Sequence, residues 1–161
     1  MDPTLWYFAY GSNLERGTFL VRRRMQPLET RIGVLRGFAL RFDLPVGPGE
    51  RGVANVAPAP GEHVWGALYQ LTHVDAERLD RTEGVDKGVY RRLAVEVETP
   101  EGALVAAFTY RSEISRPERK PSPRYLGLLL AGARELELPA EYVERLVAWP
   151  LAVDERESGG A

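Results

Sequence analysis

The chain has 161 residues, no cysteine, charged side chains at 27% and a net charge of -2. At roughly 100–200 residues per domain that is one globular domain, long enough to bury about 68–70% of the surface its unfolded chain exposes. Without cysteine there is no disulfide framework, thiolate metal site or cysteine nucleophile, and 21 basic against 23 acidic side chains create no one-signed field for nucleic acid or an anionic membrane. The start, Met1-Asp2-Pro3-Thr4, places no basic stretch ahead of a long apolar one. The most apolar segment, Tyr125 to Ala133, is far short of the ~20 residues a membrane span needs, so the cytoplasm is the expected setting.

Leu5 to Tyr10 is apolar on both faces and aromatic, which predicts a buried strand stopped by Gly11. Ser12 or Asn13 is then placed to cap a helix running through Leu14, Phe19, Leu20 and Val21 toward Arg24. Arg31 to Leu44 predicts one or two strands with a bulge or bend at Gly37, followed by a loop from Pro45 to Glu50. Val53 to Ala57 reads as a short strand, Pro58-Ala59-Pro60-Gly61 as a turn, and Val64 to Leu71 as a second strand. Thr72 with Asp75 three residues on predicts a capped helix that uses Val74, Ala76 and Leu79 and ends near Glu83-Gly84.

Leu93, Val95 and Val97 alternate with polar or small residues, and Thr99-Pro100-Glu101-Gly102 turns that strand into Ala103 to Arg111 as an antiparallel hairpin. Ser122-Pro123 opens a helix with Tyr125, Leu126, Leu129, Leu130 and Ala133 on its apolar side. Pro139 opens the last helix, which carries Tyr142, Val143, Leu146 and Val147 before Pro150 ends it. Six or seven short, largely antiparallel strands with helices between and after them predict an α+β domain whose sheet closes on itself. It is expected to span 1–153, with a disordered polar tail over 154–161.

Two segments could carry chemistry. Tyr10-Gly11-Ser12-Asn13-Leu14 sits between a strand and a helix start, where free N–H groups favour a carboxylate, a phosphate or a developing oxyanion. It lacks the further glycines of a dinucleotide loop and the Gly-Lys-Ser/Thr of a triphosphate loop, and a plain helix start is its bland alternative. Glu83, held by a helix end and Gly84 among apolar neighbours, can have a raised pKa and exchange protons near neutrality; its bland alternative is a surface glutamate before a loop. Arg22-Arg23-Arg24 reads as a solvated helix end rather than a nucleic-acid patch, and His63 and His73 have no acid partner at ligand or triad spacing.

Taken together, Tyr7-Phe8-Ala9-Tyr10-Gly11-Ser12-Asn13-Leu14, Ala54-Asn55-Val56-Ala57-Pro58, Val64-Trp65-Gly66, Glu83-Gly84-Val85 with Gly88-Val89-Tyr90, Pro121-Ser122-Pro123-Arg124-Tyr125 and Leu138-Pro139-Ala140-Glu141-Tyr142 resemble the γ-glutamylcyclotransferase family in order and spacing. The resemblance implies a small barrel with helices around it and a pocket at the barrel end. It implies cyclisation of a small-molecule γ-glutamyl substrate to 5-oxoproline with release of the free amine, and no cofactor or metal. Glu83 would be the catalytic acid and base, and Tyr10, Gly11, Ser12, Asn13, Leu14, Tyr90 and Tyr125 would bind substrate. The loop N–H groups would hold either the substrate carboxylate or the oxyanion. Asn13 favours γ-glutamyl amino acids over γ-glutamylamines or a γ-glutamylated metabolite; a catalytically silent binding module is the alternative of a different class. The resemblance allows a homodimer, which no exposed apolar stripe in the sequence compels.

Overall fold

The computed structural model describes residues 3–153; the tail expected over 154–161 lies outside the described residues. Five strands, β1 (Thr4–Ala9), β2 (Glu29–Pro45), β3 (Gly52–Thr72), β4 (Arg91–Glu98) and β5 (Leu104–Arg111), close a barrel in the order β1-β3-β2-β4-β5. Every pairing is antiparallel except the closing one, where β1 meets β5 in parallel through Tyr7 and Phe108. The expected closed, mostly antiparallel barrel is therefore present, built from fewer and longer strands than the sequence suggested.

Pro58-Ala59-Pro60-Gly61 does not divide two strands. Pairing with β2 steps from Arg36↔His63 to Phe38↔Pro58, so Ala59 to Glu62 form a wide bulge opposite Gly37 inside one continuous strand. A bulge accommodates prolines as readily as a turn does, because neither asks them for a ladder N–H. The expected antiparallel hairpin through Thr99 to Gly102 forms, with a register from Arg91↔Arg111 to Glu98↔Leu104.

Three α-helices pack against the barrel: α1 (His73–Thr82), α2 (Pro123–Glu135) and α3 (Ala140–Val147). The Thr72 hydroxyl accepts from the Asp75 N–H at 3.1 Å and the Ser122 hydroxyl from the Tyr125 N–H at 3.1 Å, so both predicted caps form. Leu79 of α1, Leu129 of α2 and Leu146 of α3 join Phe8, Val56, Val64, Leu68 and Leu71 in one buried cluster. Val74 and Val147 do not share in it, at 68% and 56% exposed. Val74 is two residues from Ala76, about 200° around a helix, and so faces water when Ala76 and Leu79 face the core. Among the described residues no helix is long and apolar enough to cross a membrane.

The helix expected after Tyr10 does not form. Ser12–Leu14 is a single 3-10 turn, and Gly17–Arg22 is a π-helix in which the Arg23 N–H reaches back five residues to the Thr18 carbonyl at 2.9 Å. Neither Ser12 nor Asn13 caps it. Glu15 does, its carboxylate accepting from the N–H groups of Gly17 and Thr18 at 3.0 and 2.9 Å and from the Thr18 hydroxyl at 2.7 Å. The Thr18 hydroxyl is the largest influence holding the Glu15 carboxyl below its ordinary range. Asn13 is unavailable as a cap because its side chain is committed to Tyr7 and Glu83.

Candidate active site

The site is assembled where the chain leaves β1, where α1 ends and where β5 ends. Leu14 is 1% exposed beneath α2, and a Cβ on Gly132 would lie 2.4 Å from its carbonyl carbon. Only glycine lets α2 come this close, and that contact clamps the loop. Glu83 is the C-terminal cap residue of α1: its N–H donates to the Leu79 carbonyl at 2.9 Å, and Gly84 follows at φ 72, the left-handed geometry that ends helices. These two backbone constraints aim the Glu83 carboxyl at the loop. Asn13 meets it there, its NH2 group donating to Glu83 Oε1 at 3.0 Å and to the Tyr7 hydroxyl at 2.9 Å, while Asn13 Oδ1 accepts from Arg23 Nε at 3.3 Å.

The cavity at this junction measures about 40 Å3 and is lined by Gly11, Ser12, Asn13, Ala54, Glu83 and five of the chain's seven tyrosines. Tyr10 donates to the Tyr110 carbonyl at 2.6 Å, Tyr90 to the Ala54 carbonyl at 2.5 Å and Tyr110 to Asp80 Oδ1 at 2.6 Å; the Tyr125 oxygen accepts from the Ala54 N–H at 3.1 Å. Burial pushes the phenols of Tyr7, Tyr10 and Tyr90 well above their ordinary value and that of Tyr125 up to about 12, so near neutrality the walls present uncharged hydroxyls. Burial also raises the Glu83 carboxyl, against the opposing charge of Arg23 and the Asn13 hydrogen bond. A single proton-exchanging group in a tyrosine-walled recess can accept and deliver protons at a bound molecule.

A larger hollow of about 520 Å3 lies on the far side of the loop, between Leu20, Met25, Pro27 and Leu136. Its carboxylate, Glu135, is exposed and accepts from the Arg16 N–H, so size does not mark the chemistry here. Among the described residues no three histidine, aspartate or glutamate side chains converge as a metal site.

A family model described as AIG2-like matches residues 63–146. Gamma-glutamylcyclotransferase of Mus musculus is 35% identical over 151 residues, covering 90% of this chain and 78% of the relative. The protein of the same name from Homo sapiens is 33% identical over 151 residues, covering 91% and 79%. A solved structure titled gamma-glutamyl cyclotransferase superposes with a TM-score of 0.84 at 29% identity, covering 97% of each chain. The chain belongs to the γ-glutamylcyclotransferase family.

In this member of the family the structure brings Glu83, Tyr10, Gly11, Ser12, Asn13, Tyr90 and Tyr125 around one cavity. Leu14 is not among its lining residues, and its N–H is taken by the Gly11 carbonyl at 3.0 Å. Burial raises the Tyr125 phenol, and the Ala54 N–H and Ser12 oppose it. Sequence reasoning passed over Tyr7, Ala54 and Tyr110, which also line the cavity, and Arg23, which it assigned to a solvated face. Tyr110 carried one usable signal: an aromatic with a polar tip near the end of a buried strand needs a partner for its hydroxyl. Arg23 carried none, because a π turn is invisible in apolar spacing.

Proposed function

We propose that the chain cyclises γ-glutamyl amino acids, releasing 5-oxoproline and the free amino acid, with Glu83 as the proton carrier. The observation that carries this reading is the Glu83 carboxyl, raised by burial and held by a neutral amide, facing a cavity in a chain of this family. In the reaction the α-nitrogen of the γ-glutamyl group forms a bond to its own γ-carbonyl carbon, and the bond from that carbon to the departing nitrogen breaks. Two protons leave the α-ammonium and two arrive at the leaving amine, so one carboxylate cycling twice balances the step.

The α-ammonium of the substrate sits beside its own carboxylate and is a much weaker acid than an ordinary carboxyl; raising the Glu83 carboxyl narrows that gap and makes it a better base for this proton. The cavity adds to this by holding amine and carbonyl in ring-closing geometry. The backbone of Gly11 and Asn13 offers N–H donors to the negatively charged oxygens of substrate or intermediate. Among the described residues that line the cavity, Glu83 is the charged side chain.

The test is release of 5-oxoproline from γ-glutamyl-alanine, glutathione and ε-(γ-glutamyl)-lysine by purified protein and by Glu83→Gln. γ-Glutamyl-alanine is expected to be the best of the three, and the variant inactive. Full turnover by folded Glu83→Gln would remove the carboxylate from the mechanism, and binding without turnover by the unmodified protein would leave a silent module.

A further inference from the structure

We propose that Arg23 is a positioning residue for Glu83: it fixes the Asn13 side-chain amide so that its NH2 group faces the Glu83 carboxyl and the Tyr7 hydroxyl. The inference rests on Glu83 being the proton carrier. An asparagine amide presents a donor or an acceptor according to which way it is turned, and a guanidinium can only donate. With Arg23 Nε at 3.3 Å, Asn13 must offer Oδ1 on that side, which leaves the two amide hydrogens for Tyr7 and Glu83. Turned the other way, Asn13 would set its oxygen against the carboxyl, an arrangement that only a protonated Glu83 could satisfy.

The fold spends an uncommon element on this contact. The π turn shifts the Arg23 N–H onto the Thr18 carbonyl and passes the Phe19 carbonyl to the Met25 N–H at 3.1 Å, and single π turns concentrate at functional positions. Of the three consecutive arginines, Arg23 alone is partly buried; Arg22 and Arg24 are exposed. The same segment supports Asn13 from a second side. Phe19 stacks on Tyr69 with ring centroids 4.1 Å apart at 13°, and the Tyr69 hydroxyl donates to the Asn13 carbonyl at 2.8 Å.

The titratable groups that influence Glu83 or feel its charge come from every surrounding element. They are Tyr7 of β1, Tyr10 after it, Tyr90 before β4, Tyr110 of β5, Tyr125 of α2 and Arg23 after the π-helix. The phenols stay neutral at working pH, so Arg23 is the cation that opposes the effect of burial on Glu83.

The experiment compares the unmodified protein with Arg23→Leu and Arg23→Gln in two readouts. One is the pH profile of kcat/KM with γ-glutamyl-alanine. The other is the carboxyl titration of Glu83 followed by carbon-13 NMR, its signal identified by its loss in Glu83→Gln. Arg23→Leu is expected to move both the acidic limb and the carboxyl midpoint upward by about one pH unit and to lower the plateau kcat several-fold. Arg23→Gln keeps a donor for Asn13 Oδ1 without the charge, and should restore most of kcat while leaving part of the upward shift. A folded Arg23→Leu protein with the unmodified midpoint and kcat overturns the proposal. Should that variant not fold, Arg23→Met, which likewise removes the donor, is measured in its place, and an unmodified midpoint and kcat there do the same. Absence of 5-oxoproline release from the unmodified protein would sink the proposed reaction instead, and the carboxyl titration would still decide the role of Arg23.

Discussion

Asp80 and Glu83 lie less than one helical turn apart at the end of α1, and the structure treats the two carboxylates in opposite ways. Asp80 Oδ1 accepts from Arg92 Nε at 2.8 Å and from the Tyr110 hydroxyl at 2.6 Å, and Arg92 also covers the Phe108 ring at 4.3 Å. Its charge is answered, and it ties α1 to β4 and β5. Glu83 has the neutral Asn13 amide as its direct partner, with Arg23 acting from behind that amide. A carboxylate that anchors a helix is one with its donors supplied; a carboxylate that can exchange protons is one from which a direct ionic partner is withheld.

The largest effect that tests this contrast is on turnover. Glu83→Gln should lower kcat by at least about 10²–10⁴-fold, the usual contribution of a positioned acid and base, while Asp80→Ala should leave most activity per folded molecule. Equal losses in the two variants, measured as 5-oxoproline release, would erase the distinction. Next is stability. Asp80→Ala strands the Arg92 guanidinium and the Tyr110 hydroxyl, and urea unfolding should show a loss of about 2 kcal/mol. Tyr110→Phe removes one of those bonds alone and should cost about 1 kcal/mol by the same measurement.

The smallest effect runs the other way. Burial raises the folded-state pKa of Glu83, so the folded protein loses stability as pH climbs from the unfolded carboxyl value near about 4.3 through the raised one. Glu83→Gln escapes that loss. It should melt above the unmodified protein at pH 8, the gap closing below about pH 4; thermal melts that coincide at both pH values would mean that the carboxyl carries no burial cost.

The parts of this arrangement that were legible in the sequence are those set by local chemistry. Thr72 with Asp75, Ser122-Pro123 and the Thr99 to Gly102 turn each act within a few residues, and each appears as expected. Glu83 at the end of α1 followed from the same signals. What escaped was set by distant partners. Pro58 to Gly61 has the composition of a turn, but the neighbouring strand β2 holds both sides of it in one ladder and makes it a bulge. Asn13 has the character of a helix cap, but Glu83, 70 residues away, competes for its amide and wins. Arg23 belongs to a basic run that reads as solvated until the π turn draws it in.

The way the barrel is closed bears on how activity is acquired. β2 and β3 are neighbours in sequence and can zip together early, whereas β1 meets β5 across about 100 residues; the Thr109 hydroxyl, for instance, bonds the Phe8 carbonyl 101 residues away. Contacts of such long sequence separation carry a high loop-closure cost and slow folding. Tyr7, Tyr10 and Asn13 stand on one side of that seam and Tyr110 on the other, joined by the Tyr10 bond to the Tyr110 carbonyl. A refolding chain would therefore regain barrel-like secondary structure before it regained turnover, and the last kinetic phase would be the one that assembles the cavity.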